Sequence, residues 1–237
     1  MRVVALFAAI ACSALVMTGA ARAQDYAAIL AAPDRTDADR QNDGKRNTKE
    51  FLPFIGAKTG MKILDLGAGA GYSSELLARS VGESGKVYAQ NPGKSEKLDA
   101  RMQTPAMRNA VAVARPFDDP APADAGALDM VTFFFAYHDT TYMEVDRGRM
   151  NKAIFAALKP GGFYVIADHS ARPDDGTTVG KTFHRIAENA LRAEVEAAGF
   201  KLVATGDFLR HPEDQRTAVV FHNPTPVDEF VLKFQKP

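Results

Sequence analysis

The stretch that decides the fold is Leu64-Asp-Leu-Gly-Ala-Gly-Ala-Gly-Tyr72. The run 61–63 before it predicts a buried strand, and residues 73–79 after it predict the start of a helix. Three alternating glycines between a strand and a helix are typical of a nucleotide-binding loop, because glycine adopts positive φ and lets the backbone approach a ligand. The free N–H groups at the helix start favour a polar or anionic ligand group.

The spacing of the glycines separates two classes of loop. A dinucleotide loop has glycines at its first, third and sixth positions, and the sixth position from Gly67 is Tyr72, so that pattern fails. What remains is an acid at the end of the strand, Asp65, followed by Gly67, Gly69 and Gly71. The sequence predicts a ligand loop of another kind, with a tight strand–helix turn that binds nothing as the alternative.

Strands and helices alternate along the rest of the chain. Because the apolar run 127–135 is typical of a central strand buried on both faces, the pattern predicts an α/β fold with a doubly wound, Rossmann-like sheet. The last two strands have no helix between them, so we expect a mostly parallel sheet with one antiparallel edge strand. The predicted strands are 61–66, 86–90, 110–115, 127–135, 163–168, 200–209 and 228–235, and the predicted helices are 72–80, 93–103, 143–158 and 180–198.

The first 23 residues read as a signal peptide. Arg2 precedes the apolar stretch 3–17, and Ala21-Arg22-Ala23 forms a cleavage site before Gln24. We therefore expect export to the periplasm or secretion, and an uncleaved membrane anchor is disfavoured because the stretch is short for a span. The predicted organisation is a signal peptide at 1–23, a helical cap segment at 24–56 and one α/β domain at 57–237.

Composition excludes several classes of function. The chain carries 29 basic and 29 acidic residues, and this balance argues against nucleic acid as a partner. The single cysteine, Cys12, is lost with the signal peptide, which excludes a thiol nucleophile, disulfides and cysteine-ligated zinc in the mature chain. We expect a small-molecule ligand and no stable membrane insertion after cleavage.

A second motif, Leu158-Lys-Pro-Gly-Gly162 before a strand, joins the glycine loop in carrying a family resemblance. Over about residues 45–235 the chain resembles class I S-adenosylmethionine (SAM)-dependent methyltransferases, in particular the predicted secreted bacterial group. The resemblance implies SAM as the cofactor and a SAM-dependent methyltransferase domain at 57–237.

Carried over position by position, the resemblance assigns roles around the cofactor. Asp65 orders the loop near the amino-acid end of SAM, and the residue closing the second strand, usually an acid, binds the ribose hydroxyls. Here that residue is Gln90, a weaker acceptor than a charged group. The acid after the third strand contacts adenine, a role that fits Asp118, with Asp119 as the alternative. The full predicted set is Asp65, Gly67, Ala68, Gly69, Gly71, Tyr72, Gln90, Asn91, Phe117 and Asp118.

Candidate catalytic residues follow the fourth and fifth strands. His138-Asp139 and Asp168-His169 lie where a substrate would sit, because the carboxyl ends of parallel strands share one edge of the sheet. Methyl transfer to oxygen or nitrogen needs alignment and removal of a proton, so His138 or His169 is a candidate base, with Asp139 or Asp168 fixing its tautomer. Alternatively, these residues only cap the strands. We assign no metal, although Asp139 with Asp168-His169 could hold a divalent ion as in catechol-type O-methyltransferases.

Two further expectations concern the surface and the function. His184 and Arg185, on the predicted helix 180–198, are expected at the surface or the core rim more than in the cleft. The leading prediction is a SAM-dependent methyltransferase acting on an unidentified small molecule. The alternative is a non-catalytic periplasmic binding protein for SAM or another nucleoside-like ligand, which Gln90 favours slightly and which export makes plausible, because SAM is made inside the cell.

Overall fold

The computed structural model describes residues 24–237, so the predicted signal peptide lies outside the described residues. Within this part of the chain, the strands are β1 Lys62–Leu66, β2 Lys86–Asn91, β3 Ala110–Ala114, β4 Leu128–Phe134, β5 Leu158–His169, β6 Lys201–Gly206 and β7 Glu229–Gln235. They form one central sheet with strand order β3-β2-β1-β4-β5-β7-β6. No helix in residues 24–237 is long and apolar enough to cross a membrane.

Helices cover both faces of the sheet, because the central strands are apolar on both sides. The helices are α1 Tyr26–Leu30, α2 Asp37–Lys45, α3 Thr48–Ile55, α4 Tyr72–Val81, α5 Glu96–Met102, α6 Arg147–Ala157, α7 Gly180–Phe183 and α8 Glu188–Ala197. Ile63 of β1 faces a cluster formed with the cap helices and α4, whereas its neighbour Leu64 faces a cluster formed with α6 and α8.

The predicted fold class is confirmed, and the structure shows where the antiparallel strand lies. β7 runs antiparallel to both β5 and β6, so it sits one position inside the edge, which β6 forms. Phe230, Leu232 and Phe234 of β7 are fully buried, whereas β6 is half exposed. The more apolar strand therefore takes the interior position.

The predicted helix 180–198 is wrong in its middle. The chain leaves α7 at His184 with φ of 55°, and Ile186 forms a bridge with Ser170 at the end of β5. Arg185 is fully buried and donates to Asp214 Oδ2 at 2.7 Å and to the Ser170 carbonyl at 3.0 Å. Tertiary bonding of residues 184–187 to β5 thus interrupts the helix. Arg185 is in the core, contrary to the surface or rim position favoured from the sequence.

The predicted cap segment docks on the sheet and against the glycine loop. Phe51, Leu52 and Ile55 of α3 are buried in the core cluster that α4 also contacts. Asp39 of α2 accepts from Arg101 of α5 at 2.9 Å, which ties the cap to the helix after β2. The cap therefore forms a wall beside the loop.

Candidate functional site

The glycine loop joins β1 to α4 with a backbone that only glycine adopts readily. Gly67, Gly69 and Gly71 have φ of 61°, 58° and 84°. At Gly71 a Cβ would lie 2.8 Å from Leu98 Cδ1 of α5, so this position needs glycine for space as well as for its conformation. The close packing of α5 fixes the shape of the loop.

Asp65 accepts hydrogen bonds from side chains at the start of α4, directly after the glycine loop. Its Oδ2 accepts from Ser73 Oγ at 2.8 Å and Ser74 Oγ at 2.6 Å, and its Oδ1 accepts from Thr132 Oγ1 at 2.7 Å. Burial raises the pKa of this carboxyl, and the three hydroxyl donors offset part of that rise. These bonds tie β1 and β4 to the start of α4 directly after the loop, and the predicted place of Asp65 near the amino-acid end of SAM stays a prediction.

Gln90 is bonded beneath the glycine loop. The side chain is fully buried, its Oε1 accepts from Gly67 N at 3.1 Å, and its Nε2 donates to the Arg115 carbonyl. The predicted ribose contact by Gln90 would require the side chain to give up these bonds. Its neighbour Asn91 is partly exposed and bonds the N–H and carbonyl of Gly69 at 2.9 and 3.0 Å.

The predicted adenine contacts lie after β3. Phe117 is buried and stacks on Phe133 with ring centroids 5.4 Å apart, which makes it a core residue. Asp118 is partly exposed, with its carboxylate 3.5 Å from Arg149, while Asp119 pairs with Arg115. Asp118 therefore remains available at the surface, and Phe117 supports it from the core.

A cavity of about 250 Å³ lies between the glycine loop, α3 and the end of β4. Tyr72 lines it and donates to Asp43 Oδ1 at 2.7 Å, while its oxygen lies 2.8 Å from Thr48 Oγ1, so this side chain ties the loop to the cap. Burial and the neighbouring Asp43 raise the pKa of Tyr72. The cavity is lined by Arg46, Phe51, Leu52, Ile55, Gly67, Ala68, Gly69, Ala70, Tyr72, Ser73, Leu76, Leu77, Phe134, Phe135 and Ala136.

Arg46 is the residue of this cavity that sequence reasoning missed. Its guanidinium lies 3.9 Å from the centre of the Phe135 ring, and within residues 24–237 it makes no hydrogen bond or ion pair. Burial lowers the pKa of Arg46, and attraction to Glu229, Tyr72 and Asp65 offsets part of that effect. Within residues 24–237, the cavity thus presents a partly buried positive charge that no carboxylate pairs directly. In the sequence it was one charge among many in a polar segment.

The ends of β4 and β5 meet as predicted, but His138 is not free to act as a base. Its Nδ1 lies 2.7 Å from Asp168 Oδ1, and its Nε2 lies 3.1 Å from Asp139 Oδ1. Burial alone would lower the pKa of His138, but the two carboxylates outweigh it and raise the pKa to about 10. At neutral pH the ring therefore already carries a proton on each nitrogen. Asp168 is fully buried and also accepts from the backbone N–H groups of His138 and His169.

His169 is the histidine nearest the cavity. Its ring centroid lies 5.3 Å from that of Phe135, which lines the cavity, and 5.6 Å from that of His138. Nδ1 is 2.8 Å from Glu229 Oε1, but the approach lies off the direction of the ring N–H, so no well-directed hydrogen bond forms. Among the predicted bases, His169 is the one whose ring is not held between two carboxylates.

The broken helix brings His184 to the same edge of the sheet. Its Nδ1 lies 3.5 Å from Asp139 Oδ1, and its ring centroid lies 5.5 Å from that of His138. Donor atoms of His138, Asp139 and His184 lie within 4.8 Å of one another. The alternative metal set, Asp139 with Asp168-His169, is not the one assembled here, because Asp168 lies behind His138. Only the break of the helix, which the sequence hides, places His184 in the group.

Part of the chain is similar to a known protein family. Residues 64–166, from the glycine loop to β5, match the family model of a methyltransferase domain. The matched segment contains the glycine loop and strands β2 to β4, which form much of the candidate site. S-adenosyl-L-methionine is the cofactor that such a domain indicates. A comparison with curated protein sequences finds no match.

Solved structures share the methyltransferase fold over most of the chain. A SAM-dependent methyltransferase from Aquifex aeolicus is 19% identical, with 90% of this chain and 99% of that chain covered and a TM-score of 0.60. One from Methanosarcina mazei is 15% identical, with 78% and 96% covered and a TM-score of 0.57. The cyclase SpnF is 15% identical, with 83% of each chain covered and a TM-score of 0.61. At these identities the similarity shows the fold, and a cyclase on it illustrates that one fold serves several reactions.

Proposed function

We propose that the protein transfers a methyl group from SAM to a small-molecule acceptor outside the cytoplasm. The observation that carries the proposal is the guanidinium of Arg46 in the cavity beside the glycine loop, which has no ion-pair partner among residues 24–237. The amino-acid end of SAM bears a carboxylate, which complements that charge through charge-assisted hydrogen bonds. The backbone of Gly67, Ala68 and Gly69 would line the same end of the cofactor.

The adenosine half of SAM would lie along the ends of β2 and β3. Asn91, rather than Gln90, is the amide within reach of a ribose, and it would exchange its bonds to Gly69 for the hydroxyls. Asp118 would accept from the adenine amino group at the edge of the site. The Gln90 amide bonds Gly67 N and the Arg115 carbonyl. The presence of Gln90 in place of an acid therefore no longer favours the alternative of a binding protein without turnover.

SAM supplies the methyl group, and the chain supplies alignment and an acceptor site. The acceptor would approach from the side of Phe135 and His169, because these residues connect the cavity to the carboxyl ends of β4 and β5. His169 is the proposed base for an oxygen or nitrogen acceptor, since His138 is protonated at neutral pH. His138, Asp139 and Asp168 would hold this edge in place.

Calorimetric titration of the purified protein with SAM and S-adenosylhomocysteine tests cofactor binding. We expect one site with a dissociation constant in about the micromolar range. Ala70→Trp, which places a large ring at the exposed rim of the cavity, should weaken binding, whereas Ala123→Trp on a distant exposed turn should not. Absence of binding at millimolar ligand would overturn the proposal.

Turnover and location need separate measurements. SAM with a tritiated methyl group, incubated with small-molecule extracts, should yield a labelled low-mass product and free S-adenosylhomocysteine. Binding without any labelled product would favour the binding-protein alternative. Export predicts a periplasmic or secreted protein whose amino terminus is Gln24, and a cytoplasmic protein that retains Met1 would contradict that part of the proposal.

A further inference from the structure

A cluster of nitrogen and oxygen donors lies outside the cavity, at the carboxyl ends of β4 and β5. His138 Nε2 and His184 Nδ1 both approach Asp139 Oδ1, at 3.1 and 3.5 Å. Ligands about 2.1 Å from one ion at tetrahedral angles lie roughly 3.4 Å apart, so these separations are close to those of a metal site. His184 and Asp139 are partly exposed, which leaves a path for an ion.

The surrounding residues hold His138 in the orientation that a metal ligand requires. Buried Asp168 accepts from His138 Nδ1 at 2.7 Å, which directs Nε2 toward Asp139 and His184. A carboxylate behind a histidine is the usual support of a metal ligand, because it fixes the tautomer and raises the basicity of the other nitrogen. His138 is thus presented through one nitrogen only.

The backbone at His184 is strained. His184 has φ of 55°, an uncommon conformation for a residue other than glycine. α7 packs so closely on residues 138–141 that a Cβ at Gly180 would lie 2.1 Å from Thr141 Oγ1, and the next residue, Arg185, is anchored by its buried ion pair with Asp214. Strain held by such packing is found at functional sites, and here its result is the approach of His184 to Asp139.

We propose that His138, Asp139 and His184 form a binding site for a divalent transition-metal ion, with zinc as the reference ion. Two imidazoles and one carboxylate suit zinc, iron, cobalt or nickel, and oxygen-seeking magnesium or calcium much less. Three protein ligands leave a coordination position open, as in sites that exchange a ligand.

The side chains around the open coordination position indicate which class of ligand it binds. The ring of Phe221, 71% exposed, lies 5.0 Å from that of His184, and exposed Tyr142 lies 6.4 Å from it on another side. An oxygen ligand with an aromatic or apolar body, such as a phenol, fits both the ion and these rings. That this ligand is the methyl acceptor rests on the proposed function, since His169 and Phe135 connect the cluster to the cavity.

Cobalt titration of the purified, EDTA-treated protein tests the site without cofactor or acceptor. We expect one cobalt ion per chain, with visible absorption bands of a four- or five-coordinate ion and displacement by zinc. His184→Gln should weaken binding by at least about tenfold, and Asp139→Asn should do the same. His211→Gln is the matched control, because His211 is exposed and also faces a carboxylate, Glu213, at 3.2 Å.

The outcomes separate this proposal from the proposed function. No stoichiometric binding at millimolar cobalt, or equal binding by the His184→Gln and His211→Gln proteins, would overturn the metal site and leave SAM binding untouched. Circular dichroism of each variant shows whether a loss of binding reflects unfolding. If cobalt binds, perturbation of its visible bands by phenol in the wild type supports the open position, and unchanged bands refute the assigned ligand class.

Discussion

Replacing Arg46 by glutamine separates the contribution of this residue to cofactor binding from its contribution to folding. The guanidinium lies in the cavity with no ion-pair partner among residues 24–237, and its contact within the fold is the face of Phe135 at 3.9 Å. Partial burial of a charge without a direct partner costs solvation free energy, which a bound anion would offset. Arg46→Gln removes the charge and leaves a neutral amide on a shorter side chain.

Arg46→Gln is expected to change the affinity for the cofactor more than the free energy of unfolding. A hydrogen bond to a charged group contributes about 1.5–3 kcal/mol, which corresponds to a roughly 10- to 150-fold change in dissociation constant. On folding, loss of the cation–π contact, about 0.5–2 kcal/mol, is offset by removal of a charge that burial disfavours. We therefore expect S-adenosylhomocysteine to bind at least about tenfold more weakly, while the free energy of unfolding changes by no more than about 1 kcal/mol.

Calorimetry with two ligands identifies the interaction. S-adenosylhomocysteine has the amino-acid carboxylate and methylthioadenosine lacks it, so only the first should lose affinity in Arg46→Gln. Arg40→Gln is the matched control, because Arg40 is an exposed arginine of the same cap that bonds only the carbonyls of Leu30 and Ala32. Equal weakening of both ligands, or no weakening of either, would refute the assignment of Arg46 to the carboxylate.

Three further predictions follow from contacts in the described chain. Gln90→Glu cannot donate to the Arg115 carbonyl, so urea denaturation should show a loss of about 1–3 kcal/mol, and tighter SAM binding in this variant would contradict our placement of the side chain. Gly180→Ala should destabilise the protein by about 1–3 kcal/mol, because its Cβ meets a side chain at 2.1 Å, whereas Gly44→Ala in open space on a helix should be neutral or stabilising. The pKa of His138 is about 10 in the folded protein and about 6.5 in the unfolded chain. The contribution of protonated His138 to stability is therefore complete below pH 6.5 and is lost as pH rises through 10. NMR titration of the metal-free protein should find a midpoint near 10, and a midpoint near 6.5 would contradict this expectation.

The parts of the site that could be predicted are those encoded within a few residues. The glycine loop follows from local backbone needs, since the strand, the three glycines and the helix are contiguous. The convergence of His138-Asp139 with Asp168-His169 follows from parallel pairing alone, because β4 and β5 are adjacent and end together. In both cases a short-range pattern and one rule of topology fix the geometry.

The parts that escaped prediction depend on distant partners. Residues 180–198 read as one helix, yet Arg185 pairs with Asp214 and Ile186 with Ser170, and these contacts break the helix at His184. Similarly, nothing near Arg46 in the sequence shows that its segment folds over the cavity and leaves it without a counter-ion. Local propensity was overridden by tertiary bonds that a single sequence does not display.

Backbone strain occurs at several positions near the proposed site. Within residues 24–237, five residues other than glycine have positive φ, and three of them lie beside the cavity or in the cluster: Asn47, which directly follows Arg46, Phe135 and His184. The other two are Glu144 and Arg216. Two of the three are held by long-range contacts, since Asn47 Nδ2 donates to the Phe208 carbonyl at 3.1 Å and Phe135 N donates to the Ala167 carbonyl at 2.7 Å. Such conformations cost about 1–3 kcal/mol each and persist only where the surrounding structure enforces them. Three of these conformations therefore lie beside the cation of the cavity, at its aromatic wall and in the cluster of His138, Asp139 and His184, where the fold holds the backbone against its local preference.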